Sequence, residues 1–543
     1  MKSLYLALGL MTLSLTTHAA FLSPADRDSV EQQQQQLLRQ NQQQRESLER
    51  ATPSLHAAMP AQAEAFDGPC FSIHRIALDG ATLIDPRQQQ KIVQPWLGQC
   101  MDIARITKLV NIISDWYISR GYITSRAFLT EQDLRSGVLH LTILEGKLEK
   151  ITMEGAAKRE FTMAFPGLEG HILNLRDIEQ GMEQINRTRA TPVQIEIQPG
   201  EKPGGSIVNL TATAERPLLL SMSVDNSNAG LTGNNLLGLA DRWFVSGGRS
   251  SAFSNAKDAQ NVAAGVSIPY GYTLFDYSYS WNNYLSTLDN HGWIWRSSGD
   301  TETHRLNFSQ VLFRNGDLKT GLSAGLSYRT NHNYLDDVLL QSSSRKLTTL
   351  LFGLNHTQKM FAGIATFNPT FSRGMPWFGA ESDGNKPGDL PKAEFRKWSL
   401  SASFQRPLLN DLWWLSSLYG QWSPDRLYGS ERLTLGGESS VRGFKEQYIS
   451  GDNGGYWRNE LNYALFTLPA IGQVGALAAL DGGWLHADRL DPRAAGTLWG
   501  AAVGFTTTNR WLSTSFTVAG PLAYPDWLGP DRLNIYYRVA VAF

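Results

Sequence analysis

After its first twenty residues the sequence holds no run of 18 consecutive apolar residues, which excludes a membrane-spanning helix there. A chain of this kind can cross a membrane only as a closed β-barrel, the other structure that satisfies every backbone group in hydrocarbon. It also lacks an excess of positive charge. A formal net charge of −1 excludes a basic face spread over the whole molecule, so nucleic acid is not an expected partner. Charged residues are only 18%, while aromatics reach 10% and glycines number 49. That mix is unusual for a soluble helical enzyme and ordinary for a barrel rich in turns and interfacial aromatics. There are just two cysteines, Cys70 and Cys100. An oxidising compartment favours one bridge between them over two buried thiols.

Signs of catalysis are missing too. The sequence has no phosphate-cradling glycine-lysine loop, no zinc-binding His-Glu pattern and no nucleophile elbow. Ser254 and Lys257 form a Ser-x-x-Lys, but without the companion motifs, and the ten histidines are scattered. Neither an enzyme nor a cofactor is expected.

What is present has a clear order. Lys2, the apolar stretch Leu4 to Leu15 and the small residues up to Ala19 read as an export signal over residues 1–19. Residues 20–50 contain a polar helix, roughly Pro24 to Arg50, with Ser23 as N-cap and Asp26 and Asp28 in its first turn. Its glutamine-rich middle has almost no apolar face, so it either stays disordered or is housed in a wet place such as a barrel lumen. Residues 51–69 read as a flexible linker.

Two small α/β modules follow, residues 70–146 and 147–216. The first has a strand through Phe71, Ile73, Ile76 and Leu78, helices near Arg87–Trp96 and Ile103–Arg120, and strands at Ile123–Phe128 and Gly137–Leu144. The second has strands at Lys147–Met153, Val193–Gln198 and Ser206–Ala212, with a helix at Arg176–Arg187.

From residue 217 to 543 the texture changes to period-two alternation broken by polar or glycine-rich turns. Phe275, Tyr277, Tyr279 and Trp281 alternate with Asp276, Ser278, Ser280 and Asn282, and Trp398, Leu400, Ala402 and Phe404 with Lys397, Ser399, Ser401 and Ser403. A strand with lipid on one side and a wet lumen on the other has this pattern. A soluble sandwich alternates as well. Three further features favour a transmembrane antiparallel β-barrel of about 16 strands: 14 of the 16 tryptophans fall here, about 16 strand candidates can be counted, and the last strand alternates from Leu533 to Phe543.

Two stretches in the barrel stand out. Leu435 to Phe444 is a glycine-rich loop, within an expected inward loop around 436–455, in which Arg442 stands between apolar Val441 and Gly443-Phe444. In the second, Val474, Ala476, Ala478, Leu480 and Trp484 take the lipid face, which turns Asp481 to the lumen between Ala479 and Gly483. A loop folded inward would let Arg442 meet Asp481 as a planar, bidentate pair. In a wet lumen such a pair is expected to contribute no more than ~1 kcal/mol.

At this point the residues resemble a known family. Val441-Arg442-Gly443-Phe444 resembles the VRG-aromatic loop of the TpsB transporters of two-partner secretion, and Ala479 to Gly483 is similar to that family's aspartate strand, which usually begins with Phe or Gly. Pro69-Cys70-Phe71 with Cys100 resembles the opening of its first POTRA domain, and the order of parts matches from the polar helix onward. The resemblance implies a plug helix, two periplasmic POTRA domains and a 16-stranded barrel in the outer membrane of a Gram-negative bacterium. It implies export of a large TpsA-type secreted protein, recognised through its N-terminal secretion domain, such as an adhesin, a haemolysin or a contact-dependent inhibition toxin. Outer-membrane lipid and, during biogenesis, the barrel-assembly machinery would be further partners. An outer-membrane insertase of the same superfamily, a passive porin and a soluble periplasmic binding protein are the rival readings.

Overall fold

The computed structural model describes residues 24–50, 70–153, 158–189, 191–213, 218–223, 228–249, 257–290, 293–384, 386–445, 447–469, 471–488, 490–491, 495–509 and 511–542. The expected export signal, the linker at 51–69 and Ser254 lie outside them.

Helix α1, Pro24–Arg50, comes first. The first module comprises β1 (Phe71–Ser72), β2 (Arg75–Asp79), α2 (Pro86–Val93), β3 (Cys100–Met101), α3 (Ile103–Ser119), β4 (Arg126–Leu129) and β5 (Val138–Leu144). Its sheet runs β2-β5-β4, with β2 parallel to β5. Asp85 and Asp102 cap the two helices by accepting from the backbone N–H three residues on. The helical spacing in α3 places Ile106, Leu109, Ile113 and Tyr117 on one buried stripe against Leu139, Leu141 and Ile143 of β5.

The single opening strand expected from Phe71 to Leu78 is two strands. The chain breaks at buried Ile73, whose backbone bonds turn aside to Gln99 and Gly98, so β1 pairs with β3 while β2 joins the main sheet. Cys70 and Cys100 flank that β1–β3 ladder and are bridged, with Cα atoms 5.3 Å apart.

The second module comprises β6 (Lys147–Met153), α4 (Lys158–Ala164), α5 (Leu175–Asn186), β7 (Gln194–Pro199) and β8 (Gly205–Thr211), with sheet order β6-β8-β7. Helix α4 was not among the expected elements; at seven residues it is too short to show a periodic stripe.

The barrel strands are β9 (Leu218–Ser223), β10 (Asn228–Asn234), β11 (Arg242–Arg249), β12 (Lys257–Tyr270), β13 (Thr273–Asn290) and β14 (Trp293–Arg314). They continue as β15 (Leu318–Leu335), β16 (Val338–Leu339), β17 (Arg345–Met360), β18 (Gly363–Met375), β19 (Arg396–Leu409) and β20 (Leu412–Trp422). After a long connection that holds the short β21 (Leu433–Leu435) and β22 (Ile449–Gly451) come β23 (Gly454–Leu468), β24 (Gly472–Leu485), β25 (Gly496–Thr508), β26 (Leu512–Ala523) and β27 (Asn534–Ala542). Among the described residues the wall is antiparallel throughout and has sixteen principal strands, with two-residue β16 as a small addition. The ring is completed where β27 pairs with β9 at Ala540–Ser223, Val541–Met222 and Ala542–Ser221.

The two ends of the barrel differ. At one end strands are joined by tight turns such as Gly271-Tyr272 and Phe361-Ala362; at the other lie the long connections 376–395 and 423–453. The second module docks on the turn end. Gly271 donates its N–H to the Met163 carbonyl at 2.7 Å, the Tyr272 hydroxyl donates to Asp177 at 2.6 Å, and Arg314 donates to Gln180 at 2.7 Å and to Glu183 at 2.6 Å.

Glu183 is central to that dock, since Lys319 meets its other oxygen. Burial works against its charge, but Lys319 and Arg314 outweigh this and hold the carboxyl down to about 2. Burial instead pushes neighbouring Glu179 up, although Arg176 and Arg314 oppose it. A carboxyl held below its ordinary value of ~4.3 stabilises the dock fully above that pH and loses its contribution as pH falls toward 2. Energy transfer between dyes on α5 and on the 361–362 turn should therefore stay constant from neutral pH down to about 4 and then fall. Glu183→Gln should lower the transfer already at neutral pH; an unchanged neutral-pH signal in that variant would refute the assignment.

Candidate functional site

The alternation of the strands builds the interior. Ser401 and Ser403 of β19 are buried in the lumen while their neighbour Trp398 is 53% exposed on the outer face. Trp398 and Trp422 are cross-strand partners, and Trp457, Trp484 and Trp499 lie outward near the same long-loop end, as an interfacial girdle requires.

Helix α1 occupies this polar lumen. Gln34 donates to the Thr434 carbonyl at 2.7 Å and accepts from Ser439 at 3.1 Å. One turn and more along, Asn41 donates to Ser401 at 2.7 Å and accepts from Asn368 at 2.8 Å and Thr366 at 3.2 Å. Arg45 reaches Gln405 at 3.2 Å and also bonds Ser403. Arg305 of β14 donates to Gln36 at 2.9 Å. Because Ser403 and Gln405 approach the turn end of β19, the helix runs with its C-terminus toward the docked module and its N-terminal half against the long connection. Its glutamine-rich face suits a wall of hydroxyls and amides, each satisfying the other's donors. A wide cavity of about 2940 Å³ still lies alongside it.

The 423–453 connection folds inward and forms its own structure. Strands β21 and β22 pair at Leu433–Gly451, Thr434–Ser450 and Leu435–Ile449. Leu433, Leu435, Val441, Phe444 and Ile449 then form one buried cluster with Tyr456, Leu485 and Leu498 of the wall. Fully burying a side chain of the size of Val441 or Phe444 contributes roughly 1.5–3 kcal/mol, so this is a packed plug rather than a loose loop.

Arg442 sits at its tip, 3% exposed, against Asp481 at 0%. Nε and Nη2 of Arg442 donate to the two Asp481 oxygens at 2.6 and 2.7 Å, and the Arg442 backbone N–H adds a third bond at 3.1 Å. The remaining guanidinium nitrogen is 3.0 Å from Glu460 of β23, which also accepts from Arg458 at 2.9 Å. Arg458 in turn donates to the Glu438 carbonyl at 2.9 Å, tying the near side of the loop to the same network.

Glycines allow this approach. Gly443 has φ +99°, and a Cβ there would lie 2.6 Å from the Gly520 carbonyl carbon. A Cβ on Gly500 would meet the Arg442 carbonyl oxygen at 1.8 Å. At Gly483 an added Cβ would press on Leu435 and Val441 at 3.0 Å.

Arg442, Asp481, Val441, Gly443, Phe444 and Gly483 thus meet in one place, while the Cys70–Cys100 bridge belongs to the distant first module. The setting differs from the wet lumen expected. The pair is dry, because apolar residues flanking the loop motif fold in around it, so the ~1 kcal/mol expected of a solvated pair does not apply. Removing one partner of such a buried pair typically costs ~3–5 kcal/mol, since the other charge is left alone. Three participants were not singled out from sequence: Glu460, Arg458 and Gln34. The signal for Glu460 and Arg458 is their inward parity on β23, which the register Arg458–Asp481 and Glu460–Ala479 makes visible. In chemical terms the arrangement is a closure with two parts, one polar helix and one apolar loop secured by a fully hydrogen-bonded ion pair.

Comparison with known proteins is consistent across the chain. Residues 204–507 match the family described as haemolysin secretion/activation protein ShlB/FhaC/HecB, residues 71–146 a ShlB-type POTRA domain, and residues 147–199 a POTRA domain. Outer membrane transporter CdiB of Escherichia coli is 60% identical over 546 residues, covering 98% of this chain and 93% of that protein. Hemolysin transporter protein ShlB of Serratia marcescens is 32% identical, covering 88% of this chain and 84% of that protein. The solved structure of CdiB from Escherichia coli superposes with a TM-score of 0.93 at 59% identity, covering 97% of this chain and 100% of that one. The structure of CdiB from Acinetobacter baumannii, at 23% identity and a TM-score of 0.78 over 97% of this chain and 100% of that one, shows the same fold.

Proposed function

The chain belongs to the haemolysin secretion/activation family of ShlB, FhaC and HecB, and on that premise we infer that it is an outer-membrane transporter exporting a specific large TpsA-type exoprotein. The barrel lies in the outer membrane and its two POTRA domains in the periplasm. The turn end of the barrel therefore faces the periplasm, and the long connections face outward. One observation carries the reading: the lumen is occupied by two parts that are not strands of the wall, helix α1 and the inward loop, each held there by side-chain contacts. A passive porin would need neither of them, nor two periplasmic modules, the second docked on its turn end. An insertase of the same superfamily is not favoured, since the relatives above are named transporters.

The geometry supports the following steps. The unfolded partner is captured by the POTRA domains through its N-terminal secretion domain, by strand addition at a sheet edge such as β7. Helix α1 exchanges its lumen bonds for bonds to water, a nearly balanced trade for glutamine and asparagine amides. It leaves toward the periplasm, where its C-terminus already points. The loop stays or shifts with Arg442, whose buried pair holds a single geometry at small net stability, since Coulombic gain and lost hydration largely cancel. The partner then threads outward and folds at the surface, which supplies the drive in a compartment without nucleotide.

The experiment is a deletion of this chain in its native bacterium, comparing proteins of the surface and medium. Loss of one large exoprotein, with its accumulation or degradation in the periplasm, supports export. A joint decline of many outer-membrane proteins would instead identify an insertase, and a change confined to small-solute uptake a porin.

A further inference from the structure

The lipid-facing wall carries a second feature that export does not use. On neighbouring strands β18 and β19, Arg373 and Arg396 are direct cross-strand partners, and both point outward. Side chains in that relation stand about 5 Å apart at Cβ, and like charges so placed repel. Among the described residues only one carboxylate answers them. Asp425 accepts from Arg396 at 3.0 and 3.3 Å and from Lys392 at 3.0 Å. That one negative charge is shared between Arg396 and Lys392, and among the described residues no acid lies within salt-bridge distance of Arg373.

Height along the barrel decides what meets this patch. Arg373 is ten residues beyond Gly363, where β18 leaves its periplasmic turn. At ~3.3 Å per residue and a tilt of ~40°, ten residues climb about 25 Å, the height of a barrel's apolar band. Arg373 and Arg396 thus stand at the outer edge of the hydrocarbon, in the layer where lipid phosphates lie. Directly beneath them Phe371 and Trp398 are cross-strand partners with ring centroids 4.6 Å apart, and Trp422 continues the aromatic row beside Trp398. The patch is continuous with the girdle, with guanidinium heads above and an aromatic floor for acyl chains below.

We propose that Arg373 and Arg396 bind a phosphate group of an outer-leaflet lipid, whose chains descend over Phe371 and Trp398. Arg373 offers the forked donors that phosphate oxygens accept, Arg396 adds the Nη1 that Asp425 leaves over, and the bound anion removes the repulsion between the two guanidinium groups. The inference concerns the wall of the barrel and stands apart from the export reading.

The test uses the full-length protein purified in detergent and probed by native mass spectrometry with bis-phosphorylated lipid A and the same lipid after phosphatase treatment. The phosphorylated form should be retained about tenfold better by the wild-type chain. Arg373→Gln should lower that preference to near unity, and Arg373→Lys should keep part of it. Arg406→Gln, an exposed basic position near the periplasmic end of β19, should leave it unchanged. Among the described residues Arg373 makes no ion pair on which folding depends, and heat-modifiable migration on a gel verifies that each barrel is intact. Equal retention of the two lipids by wild type, or full preference in Arg373→Gln, would overturn the proposal.

Discussion

Export by Arg442→Ala and by Asp481→Ala should fall to roughly a tenth of wild type or less, while both chains still insert into the outer membrane. Each substitution leaves a buried charge without its partner: Asp481 would lose the one ion-pair partner it has among the described residues, and Arg442 would keep only Glu460, already shared with Arg458. Insertion should survive because the wall is held by its ladders, β23–β24 and β24–β25 above all, and these do not pass through the loop. What changes is the placement of the loop and of everything resting on it, including Gln34 of the helix. The double variant should be no worse than either single one, because the two side chains act as one unit. Surface blots of the exoprotein, paired with heat-modifiable migration of the transporter, read both quantities. Wild-type export by both single variants would remove the latch from the mechanism.

Tethering the plug helix should have an equally large effect in the opposite manner, by preventing a motion rather than deleting a contact. Asn41 and Ser401 touch at 2.7 Å, and the two native cysteines are already bridged to each other, so Asn41→Cys with Ser401→Cys introduces the only free thiols among the described residues. A short, cleavable thiol crosslinker across them should reduce export to that of cells without the chain. Cleavage of the linker should restore it. Each single-cysteine chain treated alike should export normally. Full export with the helix tethered would mean that the exoprotein passes beside it, through the cavity that remains.

Much of this was legible in the sequence because a barrel has a strict parity. Once Leu480 and Trp484 were assigned to lipid, Asp481 had to point inward, and its 0% exposure follows from where the loop then rests. Parity gives a face but no height. Glu460 and Arg458 were visible as inward charges in principle, yet their meeting with Arg442 depends on the register across β23 and β24, which turn lengths settle. The dryness of the pair was hidden for a related reason. The loop is expected to fold inward, but that Leu433, Leu435 and Ile449 form a short sheet packed against Tyr456 and Leu498 is not visible in the local pattern. For α1 the sequence left two answers, disorder or a lumen, because the partners that decide between them, Thr434 and Ser401, are 400 and 360 residues away. No local pattern encodes contacts of that range. The split of the opening strand at Ile73 belongs to the same class, being set by the distant Cys100–Met101 segment.

That distance has a consequence for biogenesis. The helix is the first described element to be synthesised, yet its binding site exists only after strands as late as β20 and the following connection have been made and set in a closed ring. It is therefore the last piece to reach its native environment. During that interval it must wait in water beside unpaired strands without joining them or collapsing onto them. The run of glutamines from Gln32 to Gln36 and the amides from Gln40 through Asn41 to Gln44, with so little apolar surface to offer, suit a segment with a long delay between synthesis and assembly. The composition that fits the helix to a wet lumen is also what keeps it harmless until there is a lumen to enter.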